Sequence, residues 1–316
     1  MTRVLVTGAG GFLGSHVVQT LLDATDWHVV CVDSFRHNGI TDRLAEVMYG
    51  ATDRITVVTH DLVAPFSTLQ VNRIAPLDYI VNTASLCQVD QSIEHPKPFV
   101  RNNVELMLNV LHLARSCGTL SHMIHMSTDE VYGPRQPATA TDHRPSSPYA
   151  ASKAMQENLC HAYAHTYGVP ITIINSANMF GERQSRLAFI PRILYALEHN
   201  TTVTIHTRNG VPTKRNYTYV GNVAEYIVDL LRDEDMTDRI WLPGQREENN
   251  LELAQMIAEL YGTKLSYVTQ EAIEVRPGHD DYYPELGSPW KVRWSFTEGL
   301  VKTINWVKMN SEWLMI

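Results

Sequence analysis

A chain of 316 residues, 44% hydrophobic and 19% charged, buries a substantial core and suits one large α/β domain or two lobes. Its net charge of −8, without a basic run, argues against nucleic acid as a partner. No apolar stretch nears the ~20 residues of a membrane helix, and the N-terminus enters a strand at once, so a cytoplasmic protein without signal peptide or membrane contact is expected. Cys31, Cys87, Cys117 and Cys160 are scattered, with no CxxC or HExxH spacing, which points to mostly reduced core thiols and no metal.

Arg3–Thr7 is a short apolar run that predicts a strand. Gly8-Ala-Gly-Gly11-Phe12-Leu13-Gly14 follows, and then a helical stretch over 15–22. Strand, glycine turn and helix in that order make a dinucleotide fingerprint credible. The glycines let the backbone approach a pyrophosphate seated on the helix N-terminus. His28–Asp33 reads as the second strand. Asp33 stands near the offset of a carboxylate that accepts from ribose hydroxyls and repels a 2′-phosphate. NAD is therefore favoured over NADP, with Arg36 close by as the opposing charge. A third strand over 55–60 ends at Asp61-Leu62, where the acid is placed to accept from an adenine amino group. A fourth over 78–82 enters Thr83-Ala84-Ser85, small residues that let a nicotinamide ribose lie close. A long helix is predicted over 98–117.

The fifth strand carries Met123, Ile124 and Met126 into Ser127-Thr128-Asp129-Glu130. A hydroxyl and two acids thus arrive together at a strand end, the ligand-facing edge of an open α/β sheet. Tyr149 and Lys153 follow one helical turn apart and project from one face. The Lys is expected to lower the phenol's pKa, making Tyr149 a base toward a substrate hydroxyl. Strand and helix alternate to about residue 175, with a sixth strand over 171–175, which predicts an α/β fold with a Rossmann doubly wound parallel sheet. Past it, a helix over 187–198, a short strand over 203–206, a helix over 223–231 returning to the sheet and an amphipathic helix over 296–306 predict a small discontinuous C-terminal lobe. The expected division is 1–175 with about 218–240, and 176–217 with 241–316.

Taken together, the stretches 8–14, 89–93, 127–133, 148–153, 178–181, 215–220, 250–253 and 276–280 resemble the extended short-chain dehydrogenase/reductase family. Within it they resemble the nucleotide-sugar 4,6-dehydratases, chiefly those acting on dTDP-glucose. The Thr128-Asp129-Glu130 triplet is the discriminating motif. The resemblance implies a redox cycle within one sugar: Tyr149 takes the C4 hydroxyl proton as bound NAD takes the hydride, Glu130 removes the C5 proton, Asp129 protonates the departing C6 hydroxyl, and the hydride returns to C6. Thr128 would bind the C4 oxygen, and Lys153 both Tyr149 and the nicotinamide ribose. The second lobe would bind the nucleotide sugar through Asn178, Arg186, Leu187, Thr204, His206, Arg215, Asn250, Arg276 and His279. The resemblance also implies a homodimer, paired through the helix from Tyr149 and the helix over 98–117.

Three departures fall where sugar and base would be recognised. The spacing from Glu130 to Tyr149 is short, Cys87-Gln88 replaces a Ser-His pair beside the sugar, and the segment 182–189 is unlike the family's. A 4-epimerase, a UDP-glucuronate decarboxylase or a UDP-GlcNAc 5,6-dehydratase on the same scaffold is the alternative.

Overall fold

The computed structural model describes residues 1–36, 40–50, 52–133, 142–234, 236–272 and 290–315. Its strands in chain order are β1 (Arg3–Thr7), β2 (His28–Asp33), β3 (Ile55–Thr59), β4 (Tyr79–Asn82), β5 (His122–Thr128), β6 (Ile171–Ser176), β7 (Asn178–Phe180), β8 (Val203–Arg208), β9 (Val211–Pro212), β10 (Lys214–Tyr219), β11 (Arg239–Leu242), β12 (Arg246–Asn249) and β13 (Tyr267–Glu271). The helices are α1 (Phe12–Ala24), α2 (Ile40–Met48), α3 (Thr68–Ile74), α4 (Val89–Glu94), α5 (Pro96–Ser116), α6 (Pro148–Tyr167), α7 (Phe189–Glu198), α8 (Val220–Asp233), α9 (Asn250–Tyr261) and α10 (Phe296–Met309).

Seven strands form one parallel sheet in the order β11-β6-β5-β4-β1-β2-β3. This is the doubly wound Rossmann arrangement that the strand–helix alternation predicted. The strands are continuous apolar runs because helices cover both faces: Val4, Leu5, Val6, Val29, Val30 and Val32 are all fully buried. On one side Val17 and Leu21 of α1 pack with Val223 and Ile227 of α8. On the other, Met107, Val110 and Leu111 of α5 pack with Cys160 and Tyr163 of α6. The winding reverses between β1 and β4, which opens a crevice at the carboxyl ends of those strands.

Two small three-stranded sheets, β12-β10-β7 and β13-β8-β9, share a third core with α7, α9 and α10, centred on Phe180, Leu194, Ile205, Ile257 and Leu300. Residues 214–219, expected as loop, form β10, antiparallel to β12 and parallel to β7. Tyr217 and Tyr219 of that strand are buried in the third core, a tertiary gain that a six-residue run does not advertise. Helix α5 starts earlier than expected because Pro96 and Pro98 fall in its opening turn, where no intrahelical N–H is needed. Helix α6 begins at the Ser147 cap, whose hydroxyl accepts from the Ala150 amide at 3.1 Å, and stops at Gly168 with φ of 68°. Those two ends place Tyr149 and Lys153 at the start of α6, beside the end of β5. Among the described helices none is long and apolar enough to cross a membrane.

Candidate active site

The glycine turn links β1 to α1. Gly8 has φ of +67°, and a Cβ there would lie 2.9 Å from the Ala84 backbone. A Cβ on Gly14 would come within 2.0 Å of the Gly8 carbonyl oxygen, so only glycine lets α1 pack this close to β1. Gly11 caps α1 with no side-chain hydrogen bond, which leaves the first-turn amides without a side-chain acceptor. Such a turn fits a dinucleotide pyrophosphate. Phe12 and Leu13 pack against the third core and fix the helix start. Asp33 closes β2; its Oδ2 accepts from the Gly10 amide at 3.1 Å and its Oδ1 from the Phe35 amide at 3.1 Å. Leu62 is buried below, and Ala84 packs half-buried over the second core. Arg36 pairs with Asp61 at 2.9 and 3.1 Å, so the opposing charge near Asp33 is held by the acid that was expected to face adenine.

At the end of β5, Thr128, Asp129 and Glu130 are all buried. Their backbone turns there into a single 3-10 turn over Asp129–Tyr132, with the Thr128 hydroxyl accepting from the Glu130 amide at 3.3 Å and donating to Asp129 Oδ1 at 3.2 Å. Burial pushes the Asp129 carboxyl up to about 7, against the Thr128 hydrogen bond, two backbone amides and the charge of Arg215. One member of the acid pair thus keeps its proton up to neutrality, which is what a proton donor to a leaving hydroxyl needs.

Tyr149 lies against this cluster. Its pKa is raised well above the usual value by burial, then by Cys87, Glu130 and Asp129, with a Thr128 hydrogen bond opposing. The expected lowering by Lys153 is not found. Lys153 is itself buried, which brings its pKa down to about 8. Its ammonium donates to the Met126 carbonyl at 2.7 Å and to Gln156 Oε1 at 2.6 Å. Cys87 departs from the core-thiol expectation: it is exposed, whereas Cys31 and Cys160 are buried and Cys117 is half-buried. Desolvation by the atoms packed around it still raises the thiol's pKa, while the charges of Lys153 and Arg43 pull it down.

Beneath the acids lies a cage that the sequence reading missed. Glu157, one turn after Lys153, has a fully buried side chain and accepts from Arg239 at 2.8 Å, Asn175 Nδ2 at 2.8 Å and the Ser127 hydroxyl, with His143 Nε2 at 3.0 Å. Arg239 also donates to the Tyr132 hydroxyl and to Asn175 Oδ1 at 2.9 Å, and Asn175 Nδ2 donates to the Thr128 carbonyl at 2.9 Å. Ser127, Thr128 and Tyr132 are therefore all tied to one ion pair between the buried Glu157 and the half-buried Arg239, and the acids ride between them. Despite its desolvation, these donors and Arg239 hold the Glu157 carboxyl down at about 2. The available signal was a carboxylate four residues after Lys153, on the same helix face. Nothing marked Arg239, which arrives on the far edge strand.

The other candidates sit around the small sheets. Arg215, on β10, is near enough for its charge to act on Asp129. Asn178, exposed at the start of β7, reaches the Asn216 carbonyl at 3.4 Å. Arg186 stacks over Tyr195 at 4.9 Å, and Leu187 beside it is largely exposed. On β8, Thr204 is half-buried and His206 exposed. The structure does not bring Asn250 to an open surface. It is buried at the start of α9, bonded to Thr213 Oγ1 at 2.9 Å and Tyr217 at 3.2 Å. Arg276 and His279 lie outside the described residues.

Residues 4–241 match the model of the NAD dependent epimerase/dehydratase family. The chain is 31% identical over 313 residues to the low-salt glycan biosynthesis protein Agl12 of Haloferax volcanii, covering 96% of this chain and 97% of that protein. It is 30% identical over 330 residues to a dTDP-glucose 4,6-dehydratase of Mycolicibacterium smegmatis, covering 98% and 95%. The crystal structure of DesIV, a dTDP-glucose 4,6-dehydratase of Streptomyces venezuelae with NAD bound, matches with a TM-score of 0.86 at 27% identity, covering 99% of this chain and 98% of that one. With its glycine turn at the end of β1 and Tyr149 and Lys153 at the start of α6, the chain belongs to the NAD dependent epimerase/dehydratase family of nucleotide-sugar enzymes.

Proposed function

We propose that the protein is an NAD-dependent nucleotide-sugar 4,6-dehydratase, converting an NDP-hexose of the dTDP- or UDP-glucose type to its 4-keto-6-deoxy form in the cytoplasm. The observation that carries the reading is the buried Thr128-Asp129-Glu130 set against Tyr149, with Asp129 held protonated to neutrality. Residues 1–175 with 218–240 bind NAD, and 176–217 with 241–316 bind the nucleotide sugar. The cradle residues are Gly8, Gly11, Phe12, Leu13, Gly14, Asp33, Asp61, Leu62 and Ala84.

NAD, when bound, supplies hydride acceptance and return. Thr128 holds the C4 oxygen and Tyr149 takes its proton. The C4 ketone acidifies the C5 hydrogen, which Glu130 removes. Neutral Asp129 gives its proton to the C6 hydroxyl, which leaves as water. Lys153 orients Tyr149 and the nicotinamide ribose. The sugar loses a hydride at C4 and regains one at C6, where the hydroxyl left, while C5 takes back a proton from Glu130, so NAD is not consumed. Cys87, Asn178, Arg186, Leu187, Thr204, His206, Arg215, Arg276 and His279 form the substrate side, with the arginines suited to the diphosphate.

Incubation with dTDP- and UDP-glucose, followed by mass spectrometry, tests this. Loss of one water with label from C4-deuterated substrate found at C6 is expected. A conserved mass with an inverted centre, or release of carbon dioxide, would replace the reading with an epimerase or a decarboxylase. A homodimer through α5 and α6 is part of the proposal, supported by the exposure of Met155 and Tyr167 on α6. Sedimentation as a monomer at micromolar concentration would remove it.

A further inference from the structure

We propose that Arg43, on α2, is a binding residue for the diphosphate of the cofactor; this rests on the NAD reading above. No motif marks it, and it is not part of the glycine turn.

Arg43 is 6% exposed. Every partner the structure gives it among the described residues is neutral. Its Nε donates to the Arg183 carbonyl at 2.8 Å, its Nη1 lies 3.5 Å from the Gly10 carbonyl, and its guanidinium stacks over Trp313 at 5.0 Å. A second buried cation, Arg183, stands beside it and, among the described residues, pairs with Glu46 at 3.6 Å and donates to Gln19 at 2.8 Å. Burial, and then repulsion from Arg183, bring Arg43 down to about 10, while Asp33 and Asp42 act on it only through space. A guanidinium withdrawn from water without a carboxylate is costly to the folded chain. An anionic ligand offsets that cost.

The position says which anion. Gly10 is the residue whose amide binds Asp33 Oδ2, so the Gly10 carbonyl lies at the junction of the glycine turn and the ribose-facing acid. Arg43 reaches that junction from α2, with Nη1 3.5 Å from the Gly10 carbonyl. A planar fork there suits phosphate oxygens seated on the glycine turn. Trp313, which donates to the Gln184 carbonyl at 3.0 Å, covers the guanidinium and keeps water from it. The competing role is mechanical: Arg43 joins α2 to the 182–184 segment. A strut shapes the whole cleft and does not distinguish a ligand with phosphates from one without.

Calorimetry with NAD and ADP-ribose, and ligand-observed NMR with adenosine, on the full chain separates the two roles. The unaltered chain binds NAD and ADP-ribose. Arg43→Met weakens both roughly tenfold or more and leaves adenosine unchanged, and Arg43→Lys falls between because the charge stays and the fork is lost. Should Arg43→Met not fold, Arg43→Gln carries the same comparison. Unchanged ADP-ribose affinity overturns the inference, and so does an equal loss for adenosine and ADP-ribose. An unaltered chain that binds none of the three sinks the cofactor reading, and the inference with it.

Discussion

Replacing Asp129 with Asn removes a proton-binding site and keeps its shape, so it isolates what burial does to this carboxyl. Burial lifts Asp129 from 3.8 to about 7 in the folded chain. Between those values the folded state holds a proton that the unfolded state has released. The slope of stability with pH is then negative: this residue takes stability away as pH rises from about 4 to about 7. About three pH units at about 1.36 kcal/mol each come to about 4 kcal/mol of destabilisation at pH 8, nearly absent at pH 4. Asn does not titrate. Relative to the unaltered chain, Asp129→Asn should therefore gain stability on going from pH 4 to pH 8, by up to about 4 kcal/mol. Dehydration should be lost at both pH values, and in the unaltered chain it should decline above pH 7 as Asp129 loses its proton. Urea unfolding of both proteins at the two pH values measures the difference. A difference that stays flat or reverses with pH would refute the claim that desolvation outweighs Thr128, the amides and Arg215.

Glu157→Gln strands Arg239 and His143 around a neutral amide and should cost about 3–5 kcal/mol at pH 7. Because the Glu157 carboxyl is held down at about 2, its stabilisation is present above the unfolded value of 4.5 and fades as pH falls toward 2, so unfolding at pH 3 should show a smaller cost; equal costs at both pH values would contradict the cage. Tyr149→Phe should lower turnover by about a hundredfold or more while calorimetry shows NAD binding unchanged, and undiminished turnover would remove Tyr149 as the base.

Six of the seven strands of the large sheet were legible because helices cover both its faces, so each had to be a continuous apolar run; the seventh, β11, is a four-residue edge strand that the sequence reading missed. The glycine turn was legible for a similar reason. A backbone that must pass within 2.0 Å of a would-be Cβ leaves no choice of residue at Gly14. The Thr128-Asp129-Glu130 set and the Tyr149–Lys153 pair were visible as local spacings, since a strand end and one helical turn each bring neighbours in sequence together. Strand β10 was not visible, because Tyr217 and Tyr219 earn their burial from elements far along the chain.

What the amino-acid order determined unaided is thus the set of local devices: apolar runs, a turn only glycine can make, acids at a strand end, and a phenol and an amine one turn apart. Tertiary structure alone decided how those groups behave. It buried Asp129 and raised its pKa, set Cys87, Glu130 and Asp129 around Tyr149 so that its pKa rises, brought Arg239 from the edge strand to Glu157, and withdrew Arg43 beside the glycine turn. Each of these is an effect of desolvation and of charges acting across space, and neither can be read from positions along a chain.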